Sequence, residues 1–123
     1  METYQIIILS FILLIIFLRI KKYYNTRSIN NYSSSEVKQK LKDKENIILL
    51  DVRTEQERKS GSINPSIHIP LHEISFKTDQ LKKHQSREII CYCQSGSRSV
   101  SAAIKLKKLG FDSSNMKGGY LTW

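Results

Sequence analysis

An α/β domain on a mainly parallel sheet, preceded by one transmembrane helix, is the architecture this sequence predicts, and three observations predict it. From about residue 35 onward, short apolar runs alternate with segments of helical pattern, the arrangement of parallel-sheet proteins. Ile47-Ile48-Leu49-Leu50 is apolar without a break, which suits a strand buried on both faces. Ile6 to Leu18 is a run of thirteen residues in which only Ser10 is polar.

That run sets the first boundary: residues 1–27 form a transmembrane anchor with a basic flank, and 28–123 form the domain. The helix is predicted over about residues 4–20. Tyr4 to Ile20 is seventeen residues; at about 1.5 Å per residue it reaches roughly 26 Å, at the short end of what spans a hydrocarbon core. The twelve Ile, Leu and Phe residues from Ile6 to Leu18 each favour insertion by roughly 0.3 to 0.6 kcal/mol. A cleaved signal peptide fits poorly, because Met1 to Gln5 has no Lys or Arg and no small-residue cleavage site follows. A buried soluble helix fits no better, since the segment has no polar face. Arg19, Lys21, Lys22 and Arg27 all follow the apolar run, so a single-pass protein of the cell membrane with its C-terminal domain in the cytoplasm is expected. Asn25 to Ser35, rich in Asn and Ser, reads as a tether into a first short strand.

The remaining elements follow in order. Ser35 offers a capping hydroxyl for a helix containing Glu36, Val37 and Leu41. The strand Ile47–Leu50 follows, with Asp51 at its C-terminal end, and Thr54 to Lys59 reads as a short helix closed by Gly61. Ile67-His68-Ile69 alternates into Pro70 as a short strand. Ile74 to His84 is predicted as a helix with Leu81 inward, and Glu88 to Tyr92 as a third buried strand. Ser99 to Leu109 is predicted as a helix with Gly110 at its C-terminal cap. Asp112-Ser113-Ser114-Asn115 is polar, so the last strand is expected to be weak. The sequence contains no internal repeat.

The domain carries 16 Lys and Arg against 10 Asp and Glu, which is +6 of the chain's +9. The excess is spread along the chain and no aromatics interleave with it, so a solvated basic surface is predicted and no nucleic-acid partner. Two cysteines, Cys91 and Cys93, are too few for a disulfide framework, and their spacing suits no zinc site. They imply a reducing compartment and one reactive thiol; no metal or other cofactor is called for. Residue usage rich in Ile, Lys, Asn and Ser is that of a low-GC bacterial genome.

Cys93 stands where a buried strand ends and a helix opens at Ser99. Ser95-Gly96-Ser97 permits the sharp turn required between them. Amides gathered at a helix N-terminus bind anions. The same field, reinforced by Arg98, should favour the thiolate of Cys93 without a histidine base. A deprotonated sulfur there can attack another sulfur, and the resulting persulfide keeps its charge in the same cradle.

Cys93-Gln94-Ser95-Gly96-Ser97-Arg98-Ser99 resembles the active-site loop of single-domain rhodaneses, the rhodanese-homology sulfurtransferases, and the resemblance runs from about Ile29 to Trp123. Leu50-Asp51-Val52-Arg53 with Glu57 is similar to the family's first signature. Gly61-Ser62-Ile63 through Ile69-Pro70-Leu71 is similar to the second, and Lys117-Gly118-Gly119-Tyr120 to Trp123 to the last. The resemblance implies a rhodanese-like fold with about five parallel strands and helices on both faces. It implies Cys93 as the sulfur-accepting nucleophile, with Arg98 and a substrate-binding loop of Gln94, Ser95, Gly96, Ser97 and Ser99. Asp51 and Arg53 match positions beneath that loop and read as supporting, most simply as an ion pair that fixes the sheet end. The implied donor is a small sulfur-containing anion such as thiosulfate, or a persulfide; the acceptor is a thiol, cyanide or a protein. Two departures stand out: Ser62 occupies the usual histidine position of the second signature, and Asn64-Pro65-Ser66 replaces its small-residue turn.

Three other readings compete. Cysteine phosphatases and arsenate reductases also pair a thiolate with an arginine, but place five residues between them where this chain has four. A non-catalytic module recruiting a partner to the membrane would have no need of both Cys93 and Arg98. A membrane-docked persulfide carrier with a protein acceptor joins the two ideas. Cys91 reads as an inert core thiol, and His68, His72 and His84 have no catalytic spacing.

Overall fold

The computed structural model describes residues 2–123, with residues 25–27 described by their backbone alone; the Arg27 side chain of the basic flank therefore lies outside the described residues. Helix α1 runs Thr3–Arg27. It is followed by β1 (Asn31–Tyr32), α2 (Ser34–Lys42), β2 (Ile47–Asp51), α3 (Glu55–Lys59), β3 (Ile67–His68), α4 (Asp79–Lys82), β4 (Glu88–Tyr92), α5 (Ser97–Lys108) and β5 (Ser113–Met116). Short 3-10 turns occupy Leu71–Glu73 and Gly119–Thr122.

All five strands are parallel, in the order β1-β5-β4-β2-β3. Strands β2 and β4 lie side by side at the centre, with Leu50 opposite Cys91 and Asp51 opposite Tyr92. Side chains alternate across a strand, so β4 sends Ile89, Cys91 and Cys93 into one core and Ile90 and Tyr92 into the other. The first core is closed by Ala102, Ala103 and Leu106 of α5 with Ile74 and Leu81. The second is closed by Val37 of α2, with Ile63 and Met116. Helices on both faces follow from strands that are apolar on both faces. From the centre the chain crosses one way between β2 and β3 and the other way between β4 and β5. The crevice beyond the C-terminal ends of β2 and β4 is therefore the switch point where such sheets hold ligands.

Several local expectations need correction. The tether is only Ser28–Asn30, because α1 continues to Arg27 and the Ser28 amide closes it on the Tyr24 carbonyl. Helix α2 is capped by Ser33, whose hydroxyl accepts from the Glu36 amide at 3.1 Å, rather than by Ser35. The helix expected over Ile74 to His84 breaks into turns bonded at short range and the four-residue α4. Ile74 and Leu81 are its only deeply buried apolar side chains and Phe76 is 82% exposed, so no continuous apolar stripe supports a longer helix. Helix α5 begins at Ser97, two residues early, and Gly110 follows its capping residue Leu109 with φ +93°.

Strand β5 is not weak. It lies between β1 and β4 with all four residues buried. Its polar side chains find partners: Ser113 Oγ donates to the Ala103 carbonyl at 2.6 Å, Ser114 Oγ to Glu88 Oε2 at 2.5 Å, and Asn115 Nδ2 to Asn31 Oδ1 at 3.0 Å. Buried polar groups satisfied in this way carry little penalty; Asn115 Oδ1 alone is left without a partner among the described residues.

Candidate active site

Strand β4 ends at Tyr92 and hands Cys93 to a loop that must rise and turn straight into α5. Gly96 makes the turn with φ +109°, and a Cβ there would press on the Gly118 amide. The Gly96 N–H donates to Cys93 Sγ at 3.0 Å. The Ser99 hydroxyl lies 3.4 Å from the same sulfur and 3.2 Å from the Gly96 carbonyl, with one hydrogen to share between them. Cys93 is wholly buried. Burial alone would push its thiol up, but bonds from the Ser99 hydroxyl and from the amides of Ser99, Gly96 and Ser95 outweigh it, and the net displacement is downward. Two positions away, Cys91 has no such donors, and burial pushes its thiol far up. The two cysteines of one sequence pair are thus displaced in opposite directions, Cys91 upward and Cys93 downward.

A charged network lies under the loop. Asp51, fully buried, accepts from the Arg53 amide at 2.9 Å, from Arg53 Nε at 3.0 Å and Nη2 at 2.9 Å, and from the Tyr92 hydroxyl at 2.9 Å. Burial pushes this carboxyl up, yet the Arg53 bonds prevail and hold it below the ordinary range. The Arg53 guanidinium then reaches Gln94 Oε1 at 3.0 Å and the Gly61 carbonyl at 2.6 Å, and lies 4.4 Å from the centre of the Tyr120 ring. The pair lies at the C-terminal end of β2, and Arg53 also bonds the second residue of the loop. From the other side the C-terminal turn fastens the loop backbone: Tyr120 N–H donates to the Cys93 carbonyl at 2.8 Å and Leu121 N–H to the Gln94 carbonyl at 3.1 Å. Gly119, at φ +62°, permits this approach, since a Cβ would collide with the Cys93 carbonyl and Gln94.

Arg98 is placed otherwise than its expected role suggests. Its guanidinium forms a two-pronged pair with Glu57, at 2.7 and 2.8 Å, and the bonds to the sulfur come from the loop instead. That pair lowers the Glu57 carboxyl from 4.5 to about 2, helped by the Thr54 amide and hydroxyl, and burial opposes it. The same bonds raise Arg98, to which Cys93 adds a smaller attraction. Glu57 also closes the N-terminal capping box of α3 with Thr54, so one carboxylate ties α3 to the first turn of α5. A cleft of about 370 Å³ lies beside Arg98, walled by Val52, Pro70, Leu71, His72 and Lys105.

The candidate residues Cys93, Gln94, Ser95, Gly96, Ser97, Arg98 and Ser99 form one loop and helix turn, with Asp51 and Arg53 directly below. Sequence reasoning missed Tyr92, whose hydroxyl also receives the Ile63 amide at 3.1 Å, and Arg58, whose Nη1 lies 3.3 Å from Asp51. His68 Nε2 lies 2.8 Å from the Arg53 carbonyl, to which it donates as the Nε2–H tautomer, a local structural bond.

A cysteine ringed by amides at the C-terminal edge of a parallel sheet, under the first turn of the next helix, defines an α/β domain suited to thiolate group transfer. The chain belongs to the rhodanese-like domain family, whose model matches residues 33–123. It is 32% identical over 96 residues to a protein of Allochromatium vinosum named Sulfurtransferase, covering 77% of this chain and 88% of that one. To the putative sulfurtransferase YtwF of Bacillus subtilis it is 33% identical over 95 residues, covering 77% and 90%. The crystal structure of a rhodanese-like domain protein from Staphylococcus aureus matches with a TM-score of 0.72 at 26% identity, over 77% of this chain and 91% of that one.

Proposed function

We propose that the protein is a membrane-anchored sulfurtransferase that carries a sulfane sulfur on Cys93. The observation that carries the reading is the donor set on one sulfur: the Gly96 amide at 3.0 Å and the Ser99 hydroxyl at 3.4 Å, which together with the Ser95 and Ser99 amides lower the thiol against its burial. The Cys93 thiolate attacks the outer sulfur of thiosulfate, the S–S bond breaks, and sulfite leaves with the electron pair. A persulfide donor reacts in the same way and leaves as a thiolate. The terminal sulfur of the Cys93 persulfide is then anionic and rests against the same amides. An acceptor thiolate, cyanide or a protein cysteine attacks that outer sulfur and returns Cys93 as thiolate. No net oxidation occurs and no cofactor is required. Arg98, fixed by Glu57, supplies positive potential at the loop rim for the incoming anion.

The anchor reading rests on α1, whose Thr3–Tyr24 stretch is long and apolar enough to cross a bilayer and is unburied by the rest of the chain. Arg19, Lys21, Lys22 and Arg27 at its C-terminal end favour a cytoplasmic domain. Protease added outside intact cells should leave the domain uncut; digestion there would reverse the orientation.

The deciding experiment incubates the full chain with thiosulfate, removes the small molecules and weighs the peptide containing Cys93. It should gain the mass of one sulfur atom, lose it to cyanide with release of thiocyanate, and show neither change in Cys93→Ser. An unmodified Cys93 peptide, or hydrolysis of an aryl phosphate faster than sulfur transfer, refutes the assignment.

A further inference from the structure

The basic residues after the apolar run and those at the end of α5 are far apart in sequence but meet in space. A cleft of about 530 Å³ opens between α1 and α5, lined by Leu18, Lys21 and Lys22 on one side and Ser101, Ile104, Lys105 and Lys108 on the other. Lys107, next in line, donates to the Ser28 carbonyl and so pins α5 to the chain where α1 ends. Among the described residues, neither Lys21, Lys105 nor Lys108 makes an ion pair with a carboxylate.

The level of this cleft along α1 gives its chemistry. Leu18 is the last residue of the apolar run. Lys22 lies four residues on, a rise of about 6 Å, comparable to the depth of the headgroup layer on one side of a bilayer. The cleft is therefore lined both by lysines and, through Leu18 and Ile104, by apolar carbon. With α1 in a bilayer, Leu18 and the wall beside it face lipid, and a small soluble anion would match the lysines alone. A phospholipid matches both.

We propose that this cleft binds the phosphate headgroup of an anionic phospholipid, with the acyl chains descending along α1 past Leu18. The site rests on the reading of α1 as a membrane anchor. It lies along α5 from the sulfur site: Lys105 walls both this cleft and the one beside Arg98, and Lys108 is eleven residues beyond Ser97, about 16 Å. Bound lipid would join the lysines of α1 to those of α5 through one phosphate and hold the domain against the bilayer beside its own anchor.

The test uses the full chain reconstituted into bilayers of phosphatidylcholine containing a minority of phosphatidylglycerol, then released for native mass spectrometry. The parent should retain phosphatidylglycerol in preference to phosphatidylcholine. Lys105→Gln/Lys108→Gln should cut that retention by about thirty-fold, as expected for two lysines at an anionic lipid surface. Lys42→Gln/Lys83→Gln, which removes the same charge elsewhere, should retain it. Equal retention of the two lipids, undiminished retention in Lys105→Gln/Lys108→Gln, an equal loss in the control, or displacement by inorganic phosphate each overturns the site while leaving the anchor intact. A chain that enters bilayers of neither composition overturns the anchor reading, and the site with it.

Discussion

Replacing Glu57 by Gln isolates the charge that joins α3 to α5. The glutamine amide oxygen can still accept from Thr54, so the capping box survives in part, while the Arg98 guanidinium loses its carboxylate at 2.7 and 2.8 Å. The Glu57 carboxyl is lowered from 4.5 to about 2, a gap with a ceiling of about 3 kcal/mol. Solvent screening reduces this, because the Glu57 and Arg98 side chains are 29% and 35% exposed; about 1 to 2 kcal/mol remains. For a domain of this size that is a fall in Tm of roughly 4 to 15 °C at neutral pH. A carboxyl lowered by folding stabilises fully above its unfolded value, and the contribution is lost as pH falls toward its folded value. The gap in urea midpoint between parent and Glu57→Gln should therefore be constant above pH 4.5, narrow below it and close near pH 2. A gap that persists unchanged to low pH would show that shape rather than charge is responsible. No gap at neutral pH would show that the pair does not brace the loop.

Ser99→Ala removes one donor from a buried sulfur, so the Cys93 thiol should rise; the pH profile of its alkylation should move upward, and an unmoved profile would assign the lowered thiol to the amides alone. Gly119→Ala should cost about 1 to 3 kcal/mol through its positive φ and its clash with the loop backbone, whereas Gly110→Ala meets nothing within 4 Å and should cost less; equal losses in thermal unfolding would refute the clash. Arg53→Met leaves Asp51 charged, buried and short of its main partner and should cost about 3 to 5 kcal/mol. Adding Asp51→Asn should recover part of that loss, and no recovery in denaturant midpoint would deny the coupling.

What the sequence reveals and what it hides can be separated residue by residue. The turn after Cys93 is legible because only a glycine such as Gly96 makes φ +109° without strain between a strand and a helix. The double-sided burial of β2 is written in four consecutive apolar residues. The start of α2 is not legible, because Ser33, Ser34 and Ser35 all carry a capping hydroxyl and only packing selects Ser33. The burial of β5 is hidden for a related reason: Ser-Ser-Asn reads as surface until Ala103, Glu88 and Asn31 are known to receive its hydrogen bonds. Arg98 is legible as a cation at the loop but its partner is not, since Glu57 lies 41 residues earlier and stands in the sequence only as part of the first signature.

The position of β5 also governs how the chain can be made. Among the described residues strand β1 pairs only with β5, and Asn31 meets Asn115 across 84 residues. During synthesis α1 emerges early and can enter a bilayer while β1 still has no neighbour. The reactive loop is in the same position, because the Cys93 and Gln94 carbonyls receive the Tyr120 and Leu121 amides. A nascent chain truncated before these residues holds a cysteine without its scaffold. The backbone bonds that hold the Cys93 loop can thus form only after translation has passed the last strand, long after α1 has been made.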